Sequence, residues 1–126
     1  MKAAITAFNW NDMDALAKLC TEDVVNIPFE GWPEDPVYHG QEGMKRLASQ
    51  WWDAFSGTHL KAERLIEHGD GVVMLTTHTG TAEGVRVEQQ LGALIEFRDG
   101  LMSKIEYHLG FDVTPEAAGL PPDTGL

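Results

Sequence analysis

Three residues of this chain have side chains suited to acid–base or hydrogen-bonding chemistry in an apolar setting: His78, Tyr107 and Asn26. An imidazole titrates near neutral pH, so His78 is a candidate proton acceptor or donor. Tyr107 lies between Ile105 and Leu109, and its hydroxyl needs a hydrogen-bond partner if the ring is buried. We therefore predict His78 and Tyr107 as catalytic residues and Asn26 as a ligand contact. A purely structural role remains open for each of them.

The clearest strand signal lies in Leu91–Gly110, where two alternating runs flank Asp99-Gly100. A period of two indicates a strand with one apolar face, and Asp-Gly is a strong hairpin signal. One face of a curved sheet can line a pocket, so this hairpin indicates which side chains would line it. The residues on its apolar parity are Leu91, Ala93, Ile95 and Phe97 before the turn and Ile105, Tyr107 and Leu109 after it.

Helical spacing of apolar residues occurs in two parts of the chain. The N-terminal stretch is helical but is interrupted after Asn9, where Asn11 or Asp12 can cap a second helix. A broad apolar stripe predicts a third helix over Gln41–Phe55. Adjacent residues of a helix point in different directions, so at most one of Trp51 and Trp52 can face a cavity.

The remaining segments predict strands and loops. Val24–Phe29 is a short strand stopped or bulged by Pro28, and Glu30–His39 is a loop. The order of elements predicts an α+β domain that ends in a four-stranded antiparallel meander. We expect one domain over residues 1–126, with a core of about 3–112 and a loop-like tail over 113–126. The four later strands are predicted at His59–Glu67, Val72–Thr81, Val85–Arg98 and Leu101–Leu109, with turns at Gly69, Gly71 and Gly84.

Composition excludes several classes of function. The formal charge of −11 disfavours binding to nucleic acids and to anionic membranes. Cys20 is the single cysteine, which suits a reducing cytoplasm, and neither a signal peptide nor a membrane span is predicted. The five histidines lack metal-ligand spacing, so we predict no metal and no cofactor.

Three segments together resemble the SnoaL-like branch of the nuclear transport factor 2-like superfamily. They are AFNWNDMDALAKLCTEDVV, PVYHGQEGMKRL and GVRVEQQLGALIEFRDGLMSKIEYHL. The resemblance covers roughly residues 3–112 and implies a cone-shaped, curved antiparallel sheet, closed by helices around a pocket. It also implies dimerisation through the outer face of the sheet. The superfamily contains ketosteroid isomerases, limonene-type epoxide hydrolases, polyketide cyclases and non-enzymatic modules, so the fold alone does not give the function.

The resemblance argues against a ketosteroid isomerase. The positions that match its base, its acid donor and its tyrosine are Pro28, Ala93 and Ala4. None of these side chains can transfer a proton.

The other two chemistries remain open. In the epoxide hydrolase relay, the Arg and the first Asp match Thr76 and His78, and the second Asp matches Tyr107. Its carboxylates are therefore missing, although its water-holding Asn matches Asn26. A relay with His78 as base and Tyr107 as acid is an alternative. Polyketide cyclases need only one proton-transfer group, which His78 can supply.

We expect a largely apolar pocket that binds a small, apolar organic ligand, with or without turnover. The leading hypothesis is a cofactor-independent isomerase, cyclase, lyase or hydrolase. The alternative is a non-catalytic ligand-binding or dimerisation module. A homodimer fits both, because Val73, Leu75 and Leu94 would form an exposed apolar patch in a monomer. The predicted ligand-binding residues are Phe8, Asn26, Pro28, Trp52, Thr76, Gln89, Leu91, Ala93, Ile95 and Ile105.

Overall fold

A computed structural model describes residues 2–68 and 71–110, which form three helices and one six-stranded sheet. The predicted turn at Gly69 and the tail over 113–126 lie outside the described residues. The elements are α1 (Lys2–Asn9), α2 (Met13–Lys18), β1 (Cys20–Ile27), β2 (Tyr38–His39), α3 (Gly40–Ala54), β3 (Ser56–His68), β4 (Gly71–Ala82), β5 (Val85–Arg98) and β6 (Leu101–Leu109).

The predicted α+β class is confirmed, and so is the meander of β3 to β6. The strand order is β2-β1-β6-β5-β4-β3, in which consecutive strands of the meander pair antiparallel. One pair differs from the expected antiparallel sheet, because β1 runs parallel to β6. A parallel pair needs a long connection, and here the chain passes from β1 through β2 and α3 to β3 at the far edge of the sheet, then returns through β4 and β5 to β6.

The helices cover one face of the sheet. The side chain of Asp12 accepts a hydrogen bond from the backbone N–H of Ala15 at 3.1 Å, so Asp12 rather than Asn11 caps α2. Asn9 ties the end of α1 to β3 through two hydrogen bonds to the backbone of Leu60. None of the helices in the described part of the chain has the length and apolar composition of a membrane span.

Two tight turns join the central strands. Asp99 and Gly100 have φ values of 55° and 81°, and Glu83 and Gly84 have φ values of 51° and 81°. Positive φ at both central residues defines the turn that matches the twist of a β-hairpin. The hairpin predicted from Asp99-Gly100 is therefore present, with β5 and β6 at the predicted bounds.

Other predicted bounds need correction. β1 begins at Cys20 instead of Val24 and ends before Pro28, which lacks the N–H that a ladder requires. Tyr38–His39, predicted as loop, forms the short edge strand β2 against β1. Gly71 was predicted as a turn, but it begins β4 and pairs with residues of both neighbouring strands.

The predicted exposed patch is also wrong. Val73 and Leu75 are buried within the single chain, and Leu94 is half-buried. Val73 lies in register between Ile66 and Leu94, whose side chains flank it on the same face of the sheet. This patch therefore gives no argument for a dimer.

Candidate functional site

A cavity of about 80 Å³ lies between the helices and the inner face of the sheet. Its described lining contains no Asp, Glu, Lys, Arg or His, and Tyr107 carries its only hydroxyl group. Such a wall suits an uncharged, mainly apolar molecule. The lining residues are Ala4, Ile5, Phe8, Leu16, Met44, Leu47, Ala48 and Trp51 from the helices, Pro28, Phe29 and Trp32 from the chain between β1 and β2, and Leu60, Met74, Leu91, Ile95, Met102, Ile105 and Tyr107 from the sheet.

Tyr107 is the polar residue of the cavity wall, and Asn26, a predicted ligand contact that does not line the cavity, is bonded to it. The Tyr107 hydroxyl donates to Oδ1 of Asn26 at 3.2 Å. Asn26 is fully buried on β1, and its Nδ2 has no hydrogen-bond partner among the described residues. Burial, with a smaller contribution from nearby Cys20, raises the pKa of Tyr107 well above its usual value. Tyr107 therefore stays protonated and presents a neutral hydroxyl to the cavity.

His78 lies behind the cavity wall and belongs to a second polar cluster. The indole N–H of Trp51 donates to Nε2 of His78 at 2.9 Å, and the Thr58 hydroxyl bonds to the same nitrogen. The side-chain amide of Gln89 lies 3.1 Å from Nδ1. An indole can only donate, so Nε2 is the unprotonated nitrogen and Nδ1 carries the proton. The bond between Nδ1–H and Gln89 therefore requires the side-chain amide to be turned so that its Oε1, the acceptor, faces the ring.

This environment keeps His78 neutral. Its side chain is fully buried, and burial lowers its pKa from 6.5 to about 4. The Nε2 lone pair already accepts from Trp51 and Thr58, so taking a proton there requires the Trp51 bond to break and the Thr58 hydroxyl to turn from donor to acceptor.

Trp51 joins the His78 cluster to the cavity, which it also lines. Its ring stacks on Trp32, with centroids 5.2 Å apart and planes at 12°. Phe29 meets Trp51 edge-on at 5.8 Å. These offset and edge contacts are the favourable arrangements for aromatic pairs. Three aromatic rings from α3 and the β1–β2 loop, which we define as residues 28–37, therefore form one side of the cavity.

Tyr38 fastens this β1–β2 loop to α3. The Tyr38 hydroxyl accepts from Nε1 of Trp32 at 2.9 Å and donates to Oε1 of Gln50. Arg46 on α3 adds an ion pair with Asp35 of the loop at 2.5 Å. The position of Trp32 in the cavity wall therefore depends on bonds made outside the cavity.

Six of the predicted site residues line the cavity, namely Phe8, Pro28, Leu91, Ile95, Ile105 and Tyr107. The structure brings Tyr107 and Asn26 together, but His78 does not bond to either of them.

The other predicted residues lie outside the wall. Thr76 is buried and donates to the backbone carbonyl of Leu91 at 2.9 Å, and Ala93 packs in the core. Gln89 bonds to His78. Trp52 turns away, because its indole N–H donates to the backbone carbonyl of Phe8 at 2.9 Å, and Trp51 lines the cavity in its place.

Sequence reasoning missed several wall residues. Met44, Leu47 and Ala48 belong to the apolar stripe of α3, a signal that was present but was assigned only to packing. Met102 faces inward because the register of β5 and β6 shifts between Lys104 and Met102, which breaks the simple alternation.

Cys20 adds no reactive group. It is buried, and burial raises the pKa of its thiol to about 11. The thiolate needed for nucleophilic chemistry is therefore not populated near neutral pH.

A curved α+β sheet closed by helices around an apolar cavity defines the fold class of ketosteroid isomerase-like and cystatin-like proteins, as the resemblance implied. Residues 1–105 match the SnoaL-like domain, so the chain belongs to the SnoaL-like family. No curated protein matches the sequence at a significant level.

Solved structures with this fold have low sequence identity to the chain. A protein from Catenulispora acidiphila, described as having a ketosteroid isomerase-like fold and crystallised with trimethylamine, aligns with a TM-score of 0.76 and 16% identity over 99% of this chain and 95% of its own. TerC, co-crystallised with polyporic acid, aligns with a TM-score of 0.78 and 21% identity over 94% of both chains. A candidate polyketide cyclase from Sinorhizobium meliloti aligns with a TM-score of 0.68 and 20% identity over 82% of this chain and 87% of its own.

Proposed function

We propose that the protein binds a small, uncharged organic molecule in the cavity, with Tyr107 as the polar contact. The observation that carries this proposal is an apolar wall interrupted by one neutral hydroxyl, which Asn26 holds in place. Such a wall gains from burying apolar surface and would penalise a charged ligand.

The orphan amide of Asn26 supports a polar group on the ligand. A buried, unpaired N–H costs about 1–3 kcal/mol, and Asn26 lies directly behind Tyr107, so a ligand oxygen that reached past the Tyr107 hydroxyl to Nδ2 would remove this cost. Two proteins of similar fold have been crystallised with small organic molecules, trimethylamine and polyporic acid, which also supports a ligand-binding role.

The cavity is smaller than one aromatic ring requires, so a ligand of that size would need the wall to adjust. Its 80 Å³ is smaller than the roughly 150 Å³ engineered cavity that admits benzene. Met44, Met74 and Met102 line it, and the flexible thioether side chains of methionine adapt readily to a ligand's shape.

Phenol and toluene form a matched pair of probes, since they differ chiefly in one hydroxyl. We expect calorimetric titration to show tighter binding of phenol, and we expect Tyr107→Phe to weaken phenol binding by about 3- to 10-fold, the value of one hydrogen bond. Toluene affinity should not fall in this variant.

Two control variants sharpen this test. Thr77→Val removes a hydroxyl that lies outside the cavity wall, where it donates to Glu63, and should leave the ratio of phenol affinity to toluene affinity unchanged. Ala48→Leu adds volume to the wall and should weaken both probes. Equal loss of both probes in Tyr107→Phe, or binding that Ala48→Leu does not affect, would contradict the proposal.

Acid–base catalysis, as in a cofactor-independent cyclase, isomerase, lyase or hydrolase, is the second candidate function. It is favoured by the neutral Tyr107 hydroxyl, which could leave Asn26 and donate a hydrogen bond to a developing oxyanion of a bound substrate. The predicted role of His78 as base stays a prediction, and it requires the Trp51 bond to break and the Thr58 hydroxyl to turn. Turnover of an epoxide or a cyclisation substrate that Tyr107→Phe abolishes would support the enzyme. Turnover unaffected by that change would refute the role of Tyr107, and no turnover of either substrate class would count against the enzyme.

We also propose a homodimer and a cytoplasmic location. The family resemblance supports the dimer, and the single buried cysteine suits a reducing compartment. A dimeric mass by light scattering at micromolar concentration is the expected result, and a monomeric mass would contradict it.

A further inference from the structure

We propose that His78 is a positioning residue that holds Trp51 as a fixed wall of the cavity and thereby limits the size of the ligand. The inference rests on the proposed ligand-binding function. It gives His78 a task that is distinct from proton transfer, since His78 acts on the ligand only through Trp51.

The bond between the two side chains is the first step. Trp51 is the largest side chain that α3 contributes to the cavity, and its single polar atom donates to Nε2 of His78 at 2.9 Å. Both residues are buried, so water cannot replace this acceptor at low cost.

The remaining aromatic contacts of Trp51 are less directional than this bond. Trp32, Phe29 and Phe55 meet it through ring faces and edges, at centroid distances of 5.2 to 5.8 Å. Such contacts tolerate sliding and tilting, whereas a hydrogen bond to a buried acceptor is directional. The His78 bond is therefore the one that sets the direction of the indole.

His78 is itself held on both ring nitrogens. The side chains of Thr58 and Gln89 bond to Nε2 and Nδ1, so the ring has a fixed place and a fixed tautomer. A fully buried histidine needs its three polar partners to offset the cost of burial, whereas an apolar side chain could occupy the same space without any. Positioning of the cavity wall accounts for the presence of this cluster behind Trp51.

The four tryptophans supply a direct readout. The indole N–H groups of Trp32, Trp51 and Trp52 donate to three different acceptors, whereas Trp10 is 81% exposed. In the ¹⁵N-labelled full chain, hydrogen exchange at these four indole groups can be followed separately, with Trp10 as the unprotected reference.

His78→Phe keeps an aromatic ring but removes the acceptor, and His78→Gln keeps an acceptor close to the position of Nε2. We expect exchange at Trp51 in the wild type to be at least about 100-fold slower than at Trp10. In His78→Phe the exchange rate at the Trp51 indole should come within about tenfold of the rate at Trp10, while the Trp52 indole stays protected. In His78→Gln the Trp51 indole should again be protected. If His78→Phe does not fold, His78→Leu provides a second variant without the acceptor.

Binding then tests the size limit. The affinities of naphthalene and toluene are measured for the same variants and for Trp51→Phe. This last substitution removes the indole N–H and replaces the indole with a smaller ring, which enlarges the cavity. We expect the ratio of naphthalene to toluene affinity to rise at least about fivefold in His78→Phe and in Trp51→Phe, and to stay near the wild-type value in His78→Gln.

The outcomes distinguish a failure of the proposed ligand-binding function from a failure of the positioning role of His78. If Trp51 stays protected in His78→Phe and the affinity ratio does not change, His78 only fills space and the inference is overturned. If the wild type binds neither probe, the ligand-binding function and the size limit both fail. Loss of Trp51 protection in His78→Phe would then retain only the structural part, the fixing of the indole.

Discussion

Acid should destabilise this protein through His78 as the pH falls from about 6.5 to 4. In the unfolded chain a histidine titrates near pH 6.5, whereas burial lowers the pKa of His78 in the folded protein to about 4. Between these two values the unfolded state binds a proton that the folded state excludes. The contribution of His78 to stability is therefore complete above pH 6.5 and is lost as the pH falls towards 4.

The magnitude follows from the size of the shift. One pKa unit corresponds to about 1.4 kcal/mol, so His78 should remove about 3 kcal/mol from the free energy of unfolding between pH 7 and pH 4. The side chains that bond to its ring or pack edge-on against it are Trp51, Phe55, Thr58 and Gln89, and none of them carries a charge that could stabilise an imidazolium.

Urea unfolding, followed by circular dichroism at half-unit pH steps from 7 to 4, measures this loss. In His78→Gln the difference in unfolding free energy between pH 7 and pH 4 should shrink by about 3 kcal/mol. His59 is exposed on β3, and His59→Gln should keep the wild-type profile. Ion pairs with Lys45 and Arg98 lower the pKa values of Asp14 and Asp23, and their contribution to the pH dependence is the same in the wild type and in His78→Gln, so the comparison cancels it. Identical pH profiles for the wild type and His78→Gln would refute the reasoning.

Two further predictions concern the N-terminal half of the chain. Asp12→Ala removes the carboxylate that accepts from the backbone N–H of Ala15, and it should lower the free energy of unfolding in urea by about 1 kcal/mol. Asp53→Ala, a change at an exposed position near the C-terminal end of α3, should lower it much less. An equal loss in the two variants would contradict the capping role. Cys20 is buried and its thiol pKa is raised to about 11, so a thiol reagent such as DTNB at pH 8 should label it only after unfolding in urea. Rapid labelling of the folded protein would show that the thiol is accessible.

Local sequence signals predicted the framework of the fold. Asp99-Gly100 gave the hairpin, the apolar stripe gave α3, and alternation placed Leu91, Ile95 and Ile105 on the inner face, because each of these signals arises from neighbours in the chain. The parallel pairing of β1 with β6 joins residues that are far apart in sequence, so no local pattern could reveal it.

The candidate site was harder to predict, because its wall depends on side-chain orientation. Trp32 and Phe29 lie in an irregular loop without period, and stacking on Trp51 brings them to the cavity. The choice of Trp51 over Trp52 depends on the rotation of α3 about its axis, which the sequence leaves open within one residue. His78 was correctly placed on the inner parity of β4, but its bonds to Trp51 and Thr58 could only be seen in three dimensions.

Anomalous diffraction from crystals soaked in 4-bromophenol tests the central claim most directly, because the bromine marks the position of the molecule. The proposed function predicts a bromine peak inside the cavity, with the phenol oxygen within about 3.2 Å of the Tyr107 hydroxyl oxygen. If crystals soaked to saturation show no bromine peak in the cavity, or show bromine only on the outer surface, the proposed function is contradicted.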